Sequence, residues 1–384
     1  MVQFHVNIIT RQILIKNVKM SNIKLICYDF ITNTKVKSVP RLIIIIDKKE
    51  FIMKKIFIVL LMSFILIAGV FAQAEGETAT KDQTIVLRLA DNQPDNYPTV
   101  IGDKKFAELV EKYSEGRIKV DVYSQAQLGD EKSCIEQVQF GGIDFTRVSI
   151  SPLSSFNPHL NALQMPYLYR DPDHLWKVLN GEIGQYFLDS MKASNFIGLT
   201  YYDSGARSFY TTDKPIYTVS DLKGLKIRVQ ESDLMMGLVS SLGAVPTPMS
   251  YGDVYSALQT GVIDGAENNW PSYDSSSHYE VAKYYSIDQH TRVPEMLIAS
   301  KISMDKLSDE DVALIKKAAK DSQKVQIESW ADYAMKSEAK VREAGCKINK
   351  INDQSEFADA MAPLYVSMLD EEDMEWVEKI RAVK

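Results

Sequence analysis

From residue 84 onward the chain alternates between two kinds of hydrophobic spacing. TIVLRLA (84–90) reads as a strand, and RIKVDVY (117–123) alternates apolar and polar side chains cleanly with the strand period of two. Between them KKFAELVEKYS (104–114) spaces its apolar positions for an amphipathic helix closed by Gly116. A second helix is predicted in LGDEKSCIEQVQFGG, opening near Asp130 and stopped by Gly141 and Gly142, and IDFTRVSI follows as another strand. Strands alternating with helices predict α/β architecture with largely parallel sheets.

Residues 205–270 repeat this logic as a second unit. GLKIRVQ (224–230) is a short strand with Leu225, Ile227 and Val229 on one face and Lys226 and Arg228 on the other. A helix over about 231–242 ends at Gly243, SYGDVYSALQTG predicts another stopped at Gly261, and VIDGAE is a short strand. No repeat of fixed period and no low-complexity linker separates the units, which predicts packed lobes joined by crossing strands. Further on, Ser308 and Asp311 form a capping box, and no proline interrupts the run to Gly345. About 36 helical residues at ~1.5 Å each span roughly 54 Å, more than one domain's width, so this helix is expected to lie across both lobes.

Composition adds a class and a compartment. The chain has 384 residues, 45% hydrophobic and 25% charged, which is ordinary globular usage and long enough for two domains. Residues 1–52 lack glycine, whereas Met53-Lys54-Lys55, the apolar run IFIVLLMSFILIAGVF and AQA at 72–74 have the n-region, h-region and cleavage site of a secretory signal. Met53 is therefore the expected start and Glu75 the expected mature N-terminus, with 1–52 an upstream leader. Residues 75–384 then carry a net charge of −15, which argues against nucleic acid as a partner. Cys134 and Cys346 lie far apart without ligand spacing and are expected to be buried thiols. His5, His159, His174, His278 and His290 show no HxxxH pattern and are expected in structural or capping roles. Neither a Walker loop, a GxSxG elbow nor a GxGxxG turn after a strand is present, so no cofactor or metal is expected.

What remains is a set of polar residues at strand ends. Arg228 closes its strand and Arg207 sits in DSGARSFY, both at loop–strand junctions where open α/β folds gather ligands. Arginine presents a planar fork matched to a carboxylate, although a structural salt bridge is the competing reading for either one alone. IDGAENNWPSY (263–273) packs Asp264, Glu267, Asn268, Asn269, Trp270 and Tyr273 together. Amides and carboxylates beside aromatic rings suit a polyhydroxylated ligand, and an Asx-rich turn with Trp270 as a core plug is the alternative. Asp264 and Glu267 also admit a paired-carboxylate glycosidase, the competing reading of a different class.

The ordered set QLGDEKS, DLKGLKIRVQES and LGAVPTPMSYGDVYSALQTGVIDGAEN resembles the extracytoplasmic solute-binding proteins of tripartite ATP-independent periplasmic (TRAP) transporters, the DctP-like family. The resemblance spans nearly all of 84–350 and implies a two-lobed α/β periplasmic binding protein, its ligand cleft between lobes, crossed by a long helix. It places 75–205 with 294–330 in one lobe and 206–293 with 331–384 in the other. It puts Arg228 at the family's carboxylate-binding arginine, Arg207 at a second arginine, Asn268 at the ligand asparagine, and Asn92, Glu131 and Tyr251 at pocket positions, with Glu267 and Trp270 as further candidates. YYDSGARSFYT, DGAENNWPSY, HYEVAKYY and HTRVPE are similar to the subgroup binding hexuronates such as glucuronate and galacturonate. Sialic-acid binders carry a pocket glutamate where this chain has Ser149 or its neighbours, and Arg147 adds a positive group there, with a lobe-internal ion pair as its other reading. The resemblance thus implies a non-catalytic, monomeric periplasmic protein that hands a sugar acid to TRAP permease subunits. A C4-dicarboxylate, an aldonate or another organic acid is the alternative ligand.

Overall fold

A computed structural model describes residues 15–20, 23–28 and 84–384. The strands β1 (Ile15–Met20) and β2 (Ile23–Tyr28) pair antiparallel. The rest of the expected leader and the expected signal segment 53–74 lie outside the described residues. Among the described residues no helix is long and apolar enough to cross a membrane.

Residues 84–384 form two lobes, each built on one sheet. The first sheet has the order β4-β3-β5-β12-β6, from β3 (Ile85–Ala90), β4 (Ile118–Tyr123), β5 (Phe145–Ser149), β6 (Phe196–Tyr202) and β12 (Glu295–Ser300). The second runs β13-β11-β7-β10-β8-β9, from β7 (Arg207–Thr211), β8 (Lys226–Val229), β9 (Val245–Pro248), β10 (Gly265–Asn268), β11 (Tyr284–Thr291) and β13 (Lys347–Lys350). The expectation of largely parallel sheets needs correcting, because both are mixed. β3 runs parallel to β4 and β5, and β8 to β9 and β10, but β12 is antiparallel to β5 and β6, and β7 to β10 and β11. The reason is the crossing itself. The chain passes from β6 to β7 and from β11 to β12 through short connectors, so β7 and β12 enter each sheet from the other lobe, against the strands that entered through helices.

Helices cover the sheets. α1 (Pro98–Tyr113) starts at Pro98 rather than Lys104, because a proline in the first turn forfeits no hydrogen bond. Its Phe106 meets Phe145 of β5 edge-on, with ring centroids 5.3 Å apart. The side chain of Asp130 accepts from the backbone N of Ser133 and so opens α2 (Glu131–Gln139) where the sequence placed it. α3 (Asp233–Ser241) and α4 (Trp270–Ser275) pack on the second lobe.

The long helix is α5 (Asp309–Glu343), 35 residues, capped by Ser308, whose hydroxyl accepts from Asp311 N at 3.1 Å. It does lie across both lobes. Asp311 pairs with Arg117 and Asp321 accepts from Tyr113 of the first lobe, Gln326 holds the backbone of Asp203 at the crossing, and Ser337 and Lys340 bond Asp274 of the second. The C-terminal helix is α6 (Glu371–Ala382). It buries Val377 and Ile380 and is tied to first-lobe side chains through His159–Asp373, Tyr186–Glu372 and His174–Ile380. Cys134 is buried, Cys346 half-buried, and both are free thiols.

Candidate functional site

Between the lobes, where the crossing strands bring Glu295 and Arg207 together, lies a narrow closed cleft, a cavity of about 20 Å³ walled by both sheets. Each wall is set by strand ends, and each has its own charge.

The first wall centres on Arg147 of β5, which is 2% exposed. Its Nε and Nη2 both bond the Asp91 carboxylate, Nη2 also bonds Asn92 Oδ1 (2.7 Å), and Nη1 donates to Glu295 Oε2 (2.8 Å) and Glu131 Oε1 (3.3 Å). A guanidinium has five N–H donors, so Arg147 has none left for a ligand. Burial works against its charge, but Asp91 and Glu295 outweigh it and hold its pKa well above the ordinary value. Three carboxylates now share one cation. Burial, with Glu131 and Asp91 close by, pushes the Glu295 carboxyl up to about 7, and burial raises Glu131 as well. Asp103, fully buried on α1 with neither carboxyl oxygen hydrogen-bonded, is raised well above the carboxylate range by burial and by the charge of Asp91.

The second wall holds two arginines in different states. Arg207 of β7 clasps Glu267 of β10 through Nε and Nη2, which leaves Nη1 as its spare group among the described residues. Burial opposes ionisation of Glu267, yet Arg207 and His290 hold its carboxyl at about 2. His290 in turn is held at about 9: burial opposes its charge, but Asp288 and Glu267 prevail. Asp288, His290, Glu267 and Arg207 thus alternate in sign, and the imidazole stacks on Phe209 at 4.5 Å between centroids.

Arg228 of β8 is the exception. It is 3% exposed, and its Nε and Nη2 donate to Met249 O at 3.1 and 2.7 Å. No carboxylate touches it among the described residues. Burial accordingly pulls its pKa down, the cost of a desolvated cation whose main opposing charge, Glu267, is already engaged by Arg207. The Nη1–Nη2 edge remains as a fork of donors toward the cleft, beside the Tyr251 ring whose centroid is 5.9 Å from Cζ.

Acceptors complete the picture. Gln93 Oε1 and Gln230 Oε1 are buried in the cleft lining without a hydrogen-bond partner, and Glu131 Oε2 and Glu295 Oε1 make no hydrogen bond among the described residues. Two bonds latch the walls together: Tyr97 Oη with Ser272 Oγ (2.8 Å) and Ser250 Oγ donating to Asp130 Oδ2 (3.2 Å).

Of the residues expected from sequence, Asn92, Glu131, Arg147, Arg207, Arg228, Tyr251 and Asn268 line the cleft. Ser149, Glu267 and Trp270 do not. Ser149 caps the turn after β5, and its backbone N fixes Glu131 Oε1 at 2.7 Å. Glu267 lies behind Arg207, and Trp270 stacks on Tyr285 with centroids 3.8 Å apart. Asp264, the other half of the paired-carboxylate reading, accepts from Lys226 N (2.8 Å). Asn269, singled out in IDGAENNWPSY, lines the cleft as well, whereas Gln93, Tyr97, Gln230, Ser272 and Glu295 were passed over in the sequence. Gln230 carried a signal, being two residues beyond Arg228 and so on the same strand face. The grouping of metal-ligating side chains among the described residues, His159, Asp370 and Asp373, lies outside the cleft lining, and there His159 already bonds Asp373 at 2.8 Å.

Residues 89–372 match the family model DctP, bacterial extracellular solute-binding protein family 7. A solute-binding protein of Chromohalobacter salexigens is 42% identical over 278 residues, 72% of this chain and 83% of that one. The crystal structure of a TRAP periplasmic solute-binding protein from Bradyrhizobium sp. BTAi1, in complex with α/β-D-galacturonate, superposes with a TM-score of 0.76 at 46% identity, covering 77% of this chain and 99% of that one. Another, from Chromohalobacter salexigens with bound D-glucuronate, gives 0.75 at 40% identity, covering 78% of this chain and all of that one.

Proposed function

This chain belongs to the DctP family of bacterial extracellular solute-binding proteins, and we propose that it captures a hexuronate, D-glucuronate or D-galacturonate, and delivers it to a TRAP permease. The observation that carries this reading is Arg228, a buried guanidinium in the cleft with its end-on fork uncommitted and no carboxylate of its own. A ligand carboxylate supplies the missing anion, with Arg207 Nη1 as a second donor. The sugar hydroxyls meet Asn268 and Asn92 and the unpartnered oxygens of Gln93 and Gln230, while Tyr251 faces the ring. Relatives crystallised with galacturonate and glucuronate support the ligand class.

Because the ligand touches both walls, it binds the closed arrangement more tightly than any open one and shifts the population toward it. The protein acts as a monomer in the periplasm and performs no chemistry on its cargo. The committed states of Glu267 and Asp264 support that last point, since neither carboxylate is available to attack or protonate a glycosidic oxygen.

A thermal-shift panel of uronates, aldonates, C4-dicarboxylates and neutral sugars tests the reading, since ligands stabilise by mass action. Glucuronate or galacturonate is expected to give the largest shift. A shift with neutral glucose and none with either uronate overturns it, and conversion of a uronide substrate to product overturns the non-catalytic part.

A further inference from the structure

The two walls of the cleft differ in sign, and the difference bears on which acids enter. The second wall presents Arg207 and Arg228 against one carboxylate, Glu267. The first presents one cation, Arg147, against Asp91, Glu131 and Glu295, with every N–H of that cation already donated. We propose that Glu131 and Glu295 make this site selective for acids carrying a single carboxylate: they accept hydrogens from the hydroxyl end of the ligand and repel a second carboxylate there.

The inference rests on the hexuronate reading and narrows it. A hexuronate anchored by its carboxylate on Arg228 presents hydroxyls to the opposite wall, and hydroxyls are donors. Glu131 Oε2 and Glu295 Oε1 are acceptors bordering the cleft, with Gln93 Oε1 beside them. The matching aldarate, oxidised at both ends, presents a second carboxylate to these same oxygens. It finds no free cation at that end, because Arg147 has donated every N–H, and Ser149 N is spent on Glu131. Like charges placed face to face across a water-excluded contact are strongly unfavourable.

Isothermal titration of the purified protein with D-glucuronate, D-gluconate and D-glucarate, repeated for Glu131→Gln and Glu295→Gln, tests this. Wild type is expected to bind D-glucarate at least ~100-fold more weakly than its best monoacid. Each glutamine variant, which keeps an oxygen acceptor but loses the charge, is expected to narrow that ratio at least ~10-fold by gaining affinity for the diacid. Binding of glucarate within ~3-fold of glucuronate by wild type overturns the inference and leaves the hexuronate reading intact. An unchanged ratio in both variants also overturns it. Binding of gluconate but not glucuronate, with glucarate excluded, overturns the hexuronate reading and supports charge selection. Should a variant fail to fold, the wild-type ratio decides on its own.

Discussion

Replacing Arg228 by lysine is the most informative perturbation of this protein. In the folded chain its Nε and Nη2 hold Met249 O, which orients the guanidinium, and the Nη1–Nη2 edge is left for the ligand. Lysine keeps the charge but cannot do both, because an ammonium has no planar fork. Losing one side of a buried, hydrogen-bonded charge pair costs roughly 2–5 kcal/mol, which is about 30-fold or more in the dissociation constant. A ligand at 100 times the wild-type dissociation constant stabilises the native state by about 2.7 kcal/mol, and a 30-fold weaker variant by only about 0.9. In differential scanning fluorimetry with D-glucuronate this is a wild-type shift of roughly 5–10 °C falling below ~4 °C, with the far-ultraviolet circular dichroism of the unliganded variant unchanged. Binding by Arg228→Lys within ~3-fold of wild type would refute the reasoning, since it would mean that no carboxylate uses the fork.

Other perturbations separate the cleft from its supports. Tyr97→Phe removes the hydroxyl that joins Ser272 across the lobes, and is expected to cost about 0.5–1.5 kcal/mol of affinity, read as faster ligand dissociation in surface plasmon resonance. Glu267→Gln strips the carboxylate from buried Arg207 and His290, so chemical denaturation should show a loss of ~3–5 kcal/mol in the unliganded protein. His290 has a folded pKa of about 9 against 6.5 for a free histidine, so its stabilisation is full below about 6.5 and lost as pH rises through 9. Glu267, at about 2 against 4.5, contributes above 4.5 and loses its share only as pH falls through 2. Melting temperature should therefore decline between pH 6.5 and 9, and His290→Gln should flatten that decline; an identical profile would contradict the ion chain. Trp270→Phe, outside the cleft lining, should lower the melting temperature through lost stacking on Tyr285 while leaving uronate affinity within about 3-fold.

Local chemistry explains which parts of this architecture could be read from sequence. Asp130 and Ser308 announce their helices because a cap is a contact between near neighbours, and both bonds form. The start of α1 assumed at Lys104 came late, since Pro98 opens the helix and Thr99, Gly102 and Asp103 are buried although none has a large apolar side chain, so burial there does not show as hydrophobic spacing. Mixed strand direction was invisible because parallel and antiparallel strands share the same side-chain period, and only the crossings at 202–207 and 291–295 decide between them. The fate of the arginines could not be read either. Arg147, Arg207 and Arg228 occupy similar strand positions, yet one is saturated, one is clasped and one is free to bind, according to carboxylates that arrive from Asp91, Glu267 and Glu295 far along the chain. Glu295 went unrecognised for that reason, although the quoted HTRVPE contained it.

The central claim is that the ligand's carboxylate completes Arg228. A crystal structure of the protein grown with D-glucuronate tests it most directly. The account expects the carboxylate oxygens within hydrogen-bonding distance of Arg228 Nη1 and Nη2, and the hydroxyls toward Glu131, Glu295, Gln93 and Gln230. A sugar bound in the opposite sense, its carboxylate on the first wall or in solvent and Arg228 facing hydroxyls, would contradict it.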